Sequence, residues 1–321
     1  MGRYIARRLL WSVFVVIMTT LLAFLIFYVL PSTDPSIAFA GKQPTEELRA
    51  EVRKNLNLDK SVPVQYATFV KNLVVGDEYG WPGFGKSYNT RQGILGEFGQ
   101  RLVRTLELAI GALIIWLILG ISIGALSALK RRTLADRAAM GFALVGISTP
   151  VFFLALVGLY VLWFKLNIFP GTGYTGFRES PLGFFKQMAM PWIVLALLFA
   201  AVYARVFRGS MLEVMGEDYI RTARAKGVGE RRVVTHHMMR ASVAPIVTLA
   251  GVDFAVLVSS AVVTESVFNI PGIGAYALQA VTQNDLPVAM AVTVVAAVFV
   301  TVMSLVVDVL YAFLDPRVRY T

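Results

Sequence analysis

Residues 80–87 read GWPGFGKS, which matches the G-x-x-x-x-G-K-S pattern that binds nucleotide phosphates. In that chemistry, backbone amides and the lysine hold the phosphates, a helix begins at the lysine, and a separate Asp holds Mg²⁺. Here Pro82 stiffens the loop, and Ser87 is followed by YNTRQG, which lacks the character of a helix start. The sequence therefore predicts an accidental match and no nucleotide site.

The other groups with potential for catalysis or metal binding do not form a recognisable set. His236 and His237 are the only histidines, and adjacent positions on a helix point about 100° apart, so this pair does not chelate one ion. The chain has no Cys, which excludes disulfides and thiolate metal sites, and it contains no HExxH motif. We therefore expect a chain that is not an enzyme by itself and binds no metal or cofactor.

The composition indicates an integral membrane protein. Of 321 residues, 57% are apolar and 16% are charged, a balance that is typical of membrane chains and not of soluble globular ones. The net charge is +10, but the basic residues lie between apolar runs and are not concentrated in one domain. A lipid bilayer is therefore the expected partner, and a nucleic acid is not.

Six apolar runs are long enough to cross a bilayer, which takes about 20 residues at roughly 1.5 Å per residue. They lie at residues 9–30, 102–129, 138–164, 190–207, 243–268 and 288–314. The sequence thus predicts an all-α integral membrane protein with six transmembrane helices. Residues 1–30 form the first helix, residues 31–101 a polar subdomain outside the membrane, and residues 102–321 a core with the other five. Within the subdomain, EELRAEVRKNLNL has helical periodicity.

The distribution of Lys and Arg predicts the orientation of these helices. Segments 1–8, 130–137, 205–242 and 315–321 hold more than half of the 30 Lys and Arg residues in a small part of the chain. Because short basic loops stay in the cytoplasm, both termini and segment 205–242 are expected there. The polar subdomain and its GKS sequence are then extracytoplasmic, away from ATP.

Residues 216–245 form a polar and basic segment between two membrane runs, which we call the island. Asp218 favours a helix start, Lys226 favours a helix end, and Gly227 supplies a left-handed stop. The pattern predicts one short helix that ends at Lys226, a glycine turn, and a second helix that begins at Glu230.

One face of the first short helix is apolar or small. Ile220, Ala223 and Gly227 fall at i, i+3 and i+7, which predicts a narrow stripe that docks into a groove of a partner. An ordinary basic loop that anchors a membrane protein is the other interpretation. Periodicity alone leaves both open.

Polar residues and a proline inside the membrane runs are candidates for a translocation path. Asp253 lies about 15 Å into the fifth run, near the bilayer centre, so it either lines a path or has an internal hydrogen-bond partner. Ser259 and Ser260 would line the outer half of that run, with Glu265 near the surface as a gate or interface residue. Pro150 would free a backbone carbonyl in the middle of the third run.

The island resembles the EAA loop of bacterial ABC importer permeases, in the variant of the dipeptide, oligopeptide and nickel family. The resemblance rests first on DYIRTARAKG at residues 218–227, where Arg221, Thr222 and Ala223 stand in place of Glu-Ala-Ala. Further blocks resemble the same family in order along the chain: LDKSVPVQY, TLELAIGAL, STPVFFLAL, TESVFNIPGIG and VVDVLYAFLDPRVR.

This resemblance implies a type I ABC importer permease (MetI-like) fold in the bacterial cytoplasmic membrane. It implies a permease subunit that forms the path for short peptides delivered by an extracytoplasmic binding protein. Its other partners would be a homologous second permease and two cytoplasmic ABC ATPase domains, which bind ATP and Mg²⁺. Nickel chelates or sugars are alternative cargoes, and a passive channel or membrane scaffold is the alternative class.

The resemblance also carries functional residues over to this chain. The residues that match the ATPase-coupling part of the family's loop are Tyr219, Ile220, Arg221, Thr222, Ala223, Arg224, Ala225, Lys226 and Gly227. The candidates for the path remain Pro150, Asp253, Ser259, Ser260 and Glu265.

Overall fold

The computed structural model describes residues 2–30, 45–55 and 60–314. Both ends of the chain, whose cytoplasmic location the sequence predicts, lie at or beyond the limits of the described residues. The same holds for parts of the predicted polar subdomain, residues 31–44 and 56–59. Within the described ranges the regular elements are helices, and the extended pairings are two isolated bridges, Asp77 with Gly80 and Lys86 with Gly93.

The described residues form thirteen helical elements. They are α1 Gly2–Phe24, which continues as a π-turn over Leu25–Val29, α2 Glu46–Asn55, α3 Val62–Val75, α4 Ile94–Leu129, α5 Leu134–Ser148, α6 Val151–Lys165, α7 Pro181–Met215, α8 Asp218–Ala225, α9 Glu230–Ser242, α10 Ala244–Ser260, α11 Val262–Phe268, α12 Ile273–Thr282 and α13 Leu286–Leu314.

The predicted six spans correspond to these elements with two corrections. Helices α1, α4, α7 and α13 are each long and apolar enough to cross a membrane, and the bent pairs α5 with α6 and α9 with α10 pass the same test together. Helices α4 and α7 contain 36 and 35 residues, or roughly 50 Å. Both therefore extend well beyond the hydrocarbon core.

The first correction concerns the third span, which was predicted as one helix over 138–164. Helices α5 and α6 instead meet at 104° around Thr149 and Pro150. Proline lacks an N–H and pushes the preceding residue out of the helical region. Thr149 accordingly has extended dihedrals of φ −95° and ψ 125°. The chain breaks the span here and begins a new helix.

The second correction concerns the fifth span, predicted as continuous over 243–268. Helix α10 ends at Ser260, and α11 runs separately from Val262 to Phe268. A bend of 47° also separates α9 from α10 next to Pro245. The apolar run therefore contains two shorter helices after a bend, because hydropathy does not report helix breaks.

The described residues divide into two compact units. Unit 1 contains those up to Thr105 together with Ser259–Glu265 and Pro271–Leu305, and unit 2 contains Leu106–Val258, Ser266–Ile270 and those from Val306 onward. In unit 1 the start of α4 packs with α12 and the start of α13. The buried residues of this core are Ile94, Phe98, Ile273, Tyr276, Ala280, Val288, Ala289, Ala291 and Val292.

The core of unit 2 forms around α7, which packs against α5 and α6. Its largest fully buried side chains include Trp116, Tyr203 and Phe207. The ring of Trp116 stacks on Phe199 with a centroid distance of 4.5 Å. Helix α7 therefore has apolar contacts along much of its length and is the most buried of the four long spans.

Close contact between α4 and α7 in unit 2 depends on Gly124. A Cβ added there would lie 2.6 Å from the carbonyl oxygen of Ala204 and 3.0 Å from the Cβ of Phe207. Earlier in α4, Gly99 has no such neighbour within 4 Å. The same residue type thus has a packing role at one position of α4 and none at the other.

We expect Gly124→Ala and Gly99→Ala to change stability in opposite directions. Alanine at 124 overpacks the contact with α7, which costs about 1–3 kcal/mol, whereas alanine at 99 improves helix propensity by about 0.5–1 kcal/mol. Thermal unfolding of the purified protein in one detergent measures both. Equal midpoints for the two variants would contradict the close packing of α4 against α7.

Candidate functional site

The island folds as the sequence predicts in its first half. Helix α8 begins after Glu217, whose dihedrals are extended, and carries Asp218 in its first turn and Arg224 in its last. These charges complement the helix dipole. Gly227 adopts a left-handed φ of 78°, and its N–H donates to the carbonyl of Arg224 at 2.9 Å. The predicted glycine stop is confirmed, and α9 then begins at Glu230.

The docking stripe predicted for α8 is wrong for Ile220, its most apolar residue. Ile220 is fully buried within this chain, because α8 packs against α9. Ile220 therefore anchors α8 and is not available to a partner. The side chains exposed on α8 and its end are those of Asp218, Tyr219, Arg221, Thr222, Arg224, Ala225 and Lys226, and Ala223 is half-buried. The exposed surface of α8 is polar and basic.

A bidentate ion pair closes the turn between α8 and α9. The Arg224 guanidinium donates to both carboxylate oxygens of Glu230, at 3.0 and 2.6 Å. This hydrogen bonding raises the pKa of Arg224 and lowers the pKa of Glu230, so both groups stay charged at neutral pH. Such an exposed pair contributes little to stability because solvent screens it, but it restrains the geometry of the turn. Arg221 contacts Asp218 at 3.4 Å.

Helix α9 contains a π-helical stretch, Val233–Met238, which includes both histidines. The rings of His236 and His237 lie edge to face with centroids 5.4 Å apart. Val233 and Met238 are fully buried, so the two ends of the stretch face the interior of unit 2. The stretch therefore joins the exposed turn to the packed part of the unit.

The connection that precedes α5 is held to α7 by a buried network that the sequence analysis missed. Asp136 accepts from Arg208 Nε at 2.8 Å, from the Arg132 amide at 2.9 Å and from the Ser127 hydroxyl. Thr133 caps α5 by accepting from the Asp136 amide. A Thr-x-x-Asp pattern at the start of an apolar run is a helix-start signal, and it identifies Asp136 as the only acid in a basic turn.

Among the path candidates in unit 2, Asp253 has an internal partner. The hydroxyl of Tyr203, which is fully buried on α7, donates to Asp253 Oδ2 at 2.7 Å. This contact supports the internal-partner interpretation, since an unpaired carboxylate at this depth is unfavourable. A path role for Asp253 stays a prediction. Pro150 is exposed, and its own carbonyl accepts from the amides of Phe153 and Leu154 in the first turn of α6. A path role for Pro150 also stays a prediction.

The path candidates in unit 1 differ in burial. Ser259 is half-buried and Ser260 exposed at the end of α10. Glu265 was predicted near the surface, but it is fully buried. It accepts from Thr105 Oγ1 at 2.5 Å and from the Ala275 amide at 2.8 Å. Glu265 therefore lies inside unit 1 and not on its surface, and a gate or interface role for it stays a prediction.

The contacts of Glu265 place a carboxylate at the N-terminus of α12, where a negative charge is favourable. Thr105 connects Glu265 to the start of α12, since its hydroxyl also accepts from the Ile273 amide at 2.9 Å. Gly272 completes the arrangement, because a Cβ there would collide with the Glu265 carboxylate. Glu265 thus anchors helix α12 within unit 1.

The loop that matches the phosphate-binding pattern has a structural role in unit 1. Ser87 donates its hydroxyl to Asp285, and the amides of Tyr88 and Asn89 donate to the same carboxylate at 3.2 and 3.3 Å. Asp285 is 3% exposed. The next helix begins at Ile94 and not at Lys86. The loop therefore lacks the helix that phosphate binding requires, as the sequence analysis predicts.

Comparison with known proteins covers nearly the whole chain. Residues 120–320 match the family model "Binding-protein-dependent transport system inner membrane component", and residues 1–109 match the model of its N-terminal part. A probable peptide ABC transporter permease protein of Sinorhizobium fredii is 34% identical over 320 residues, with 100% of both chains covered. The dipeptide transport system permease protein DppB of Alkalihalophilus pseudofirmus is 34% identical, with 99% of both chains covered.

Two solved structures share the fold. A chain of the MetNI methionine ABC transporter, in inward-facing conformations, aligns with a TM-score of 0.55 and 16% identity over 69% of this chain and 97% of that chain. A chain of an amino acid ABC transporter solved with histidines aligns with a TM-score of 0.50 and 18% identity over 70% and 94%. The predicted type I importer permease fold is confirmed.

We expect the contact between Tyr203 and Asp253 to contribute to stability. Asp253→Leu removes the acceptor and leaves the buried Tyr203 hydroxyl unpaired, which costs about 1–3 kcal/mol, whereas Asp253→Asn retains an acceptor oxygen. Adding Tyr203→Phe to Asp253→Leu should recover part of the loss. Unfolding midpoints of the single and double variants test the coupling between the two positions. Additive effects would show that the contact contributes nothing.

Proposed function

This chain belongs to the family of binding-protein-dependent transport system inner membrane components, and we propose that the cargo of its ABC importer is a short peptide. The observation that carries this proposal is the match over the whole chain to relatives named as peptide or dipeptide permeases. The chain is a permease subunit with several membrane spans. Family membership sets aside the passive channel and the scaffold, and the relatives' names favour peptides over nickel chelates or sugars.

The island is proposed as the contact with the cytoplasmic ATPase. Helix α8 lies between α7 and α9 in unit 2, so a force on α8 acts directly on the long helix that precedes it. The left-handed turn at Gly227 and the ion pair between Arg224 and Glu230 restrain its direction. Its exposed basic face, with Tyr219 and Lys226, is the surface that a partner would contact.

The remaining partners of the proposed complex follow from the type of importer. A second, homologous permease would complete the path, and an extracytoplasmic binding protein would deliver the peptide. Two ABC ATPase domains would bind and hydrolyse ATP with Mg²⁺, because this chain does not supply that chemistry. ATP-driven movement of α8 would then shift α7 as a rigid helix, a coupling through packed elements that have two arrangements. The location would be the bacterial cytoplasmic membrane.

Uptake by the reconstituted complex tests the cargo. Vesicles that contain both permeases and the ATPases, with the binding protein outside and ATP inside, should accumulate labelled dialanine. An excess of another dipeptide should compete, whereas sugars and nickel chelates should not. Competition by a sugar or a nickel chelate, with none by a dipeptide, would overturn the peptide assignment and leave the importer assignment intact.

Substitutions at Gly227 separate coupling from assembly. Valine at this left-handed position costs about 1–2 kcal/mol of backbone strain, although no atom lies within 4 Å of the added Cβ. Gly227→Val should therefore assemble in the membrane but lose substrate-stimulated ATP hydrolysis and uptake. Gly227→Asn tolerates the left-handed backbone and should retain both activities.

The matched control for Gly227→Val is Gly229→Val. Gly229 also has open space around its Cβ position, but its φ of −57° is normal for any residue. This variant should keep wild-type coupling. Wild-type ATP hydrolysis and uptake in Gly227→Val would mean that the island is only an anchoring loop.

The proposed orientation is testable because the chain has no Cys. Single cysteines at exposed positions, Lys71→Cys on α3 and Leu134→Cys on α5, should react with an impermeant maleimide from opposite sides. In intact cells Lys71→Cys should be labelled, and Leu134→Cys should be labelled only after the membrane is opened. The reverse result would invert the orientation.

A further inference from the structure

Unit 1 contains a cavity that the proposed transport function does not use. Its volume is about 390 Å³, within the range of sites for small ligands. Four segments form its wall: the end of α1, helix α3, the loop at residues 77–88 and the start of α13. Two of these, α1 and α13, are membrane spans, so the cavity lies where two spans end.

One part of the cavity wall is apolar. Phe24 and Met290 are buried there, and Phe69 of α3 packs against them. The rings of Phe24 and Phe69 have centroids 6.4 Å apart, and Phe24 stacks on Tyr28 at 4.9 Å. This part of the wall consists of side chains from two membrane spans and α3, and it is suited to a hydrocarbon chain.

The other part of the wall is polar and carries both signs of charge. Gln65 and Asn72 contribute amide groups from α3, Lys86 contributes an ammonium group, and Glu78 contributes a carboxylate. The backbone of Lys86 is restrained by its bridge to Gly93. The cavity therefore offers groups for a phosphate and for an ammonium ion in one place.

The second carboxylate of the wall, Asp77, already has structural partners. One of its oxygens accepts from the Tyr79 amide at 2.8 Å and the other from the Gly85 amide at 2.6 Å. Its charge is nevertheless present in the wall. With two carboxylates and one ammonium group, the wall is net negative and disfavours a ligand with net negative charge. A zwitterion can present its anionic group to Lys86 and its cationic group to Glu78 without adding net negative charge.

We propose that this cavity binds a zwitterionic phospholipid, with the headgroup phosphate at Lys86, the headgroup ammonium at Glu78 and an acyl chain along Phe24, Phe69 and Met290. A dipeptide is also a zwitterion, but two observations favour the lipid. The apolar wall is built on two membrane spans, and only 17% of the most apolar window of α1 is buried within this chain. Leu22 and Ile26, which lie close to Phe24 in the chain, are exposed, so lipid from the bilayer has access to this end of α1.

Lipid retention by the purified importer complex tests the proposal. The complex is incorporated into nanodiscs with equal amounts of phosphatidylethanolamine and phosphatidylglycerol, extracted in mild detergent, and its bound lipids are counted by native mass spectrometry. The wild-type complex should retain phosphatidylethanolamine in preference to phosphatidylglycerol. Lys86→Gln removes a charge-assisted hydrogen bond and should lower this retention roughly tenfold.

Two further variants make the result specific. Thr68→Trp places a large ring in the cavity and should abolish retention of the lipid, while an unchanged unfolding midpoint shows that the fold is intact. Lys71→Gln removes a charge from the same helix outside the cavity and should leave retention unchanged.

Three outcomes would overturn the proposal. The first is equal lipid retention by the wild type, Lys86→Gln and Thr68→Trp. The second is a preference for phosphatidylglycerol. The third is displacement of the lipid by millimolar dialanine, which would identify a peptide site. None of these readouts depends on uptake, so a failure of the peptide-import proposal is distinguishable from a failure of the lipid site.

Discussion

The hydrocarbon interior of a membrane offers no hydrogen bonds, and the structure of this chain depends on that constraint. Every backbone polar group at depth needs a partner within the protein, which is why the long apolar runs are helical. The same rule governs the side chains. Asp253 is paired with Tyr203, and a second buried carboxylate, Asp136, is paired with Arg208 at the start of α5. Both carboxylates are therefore fixed contacts between helices.

These fixed contacts give α7 its place in the proposed mechanism. Along this one helix, Tyr203 bonds α10 through Asp253, and Arg208 bonds the start of α5 through Asp136. The island follows directly after Met215. In the proposed mechanism, the helices bonded to α7 would move together with it. Movement at α8 would then reach the middle of unit 2 through these contacts.

Hydropathy and capping chemistry made much of this structure predictable from the sequence. The six apolar runs, the left-handed turn at Gly227 and the new helix at Glu230 follow from local rules, because each depends on residues close in the chain. The burial of Ile220 depends on α9, which follows a turn. The burial of Glu265 depends on contacts such as that with Thr105, which is distant in the chain. A single apolar residue in a polar helix can be buried by a partner protein or by the chain's own core, and the sequence does not distinguish the two.

Glycine illustrates how the same residue type serves two physical needs in unit 2. At Gly124 the backbone is an ordinary helix, and the requirement is space, because α7 leaves no room for a Cβ. At Gly227 space is abundant, and the requirement is a backbone dihedral that other residues adopt only with strain. The first requirement lies where helices pack within the membrane, and the second lies where the chain leaves it. The proposed contact with the ATPase thus depends on local backbone geometry, which the sequence encodes directly, whereas the packing of the spans depends on contacts between distant residues.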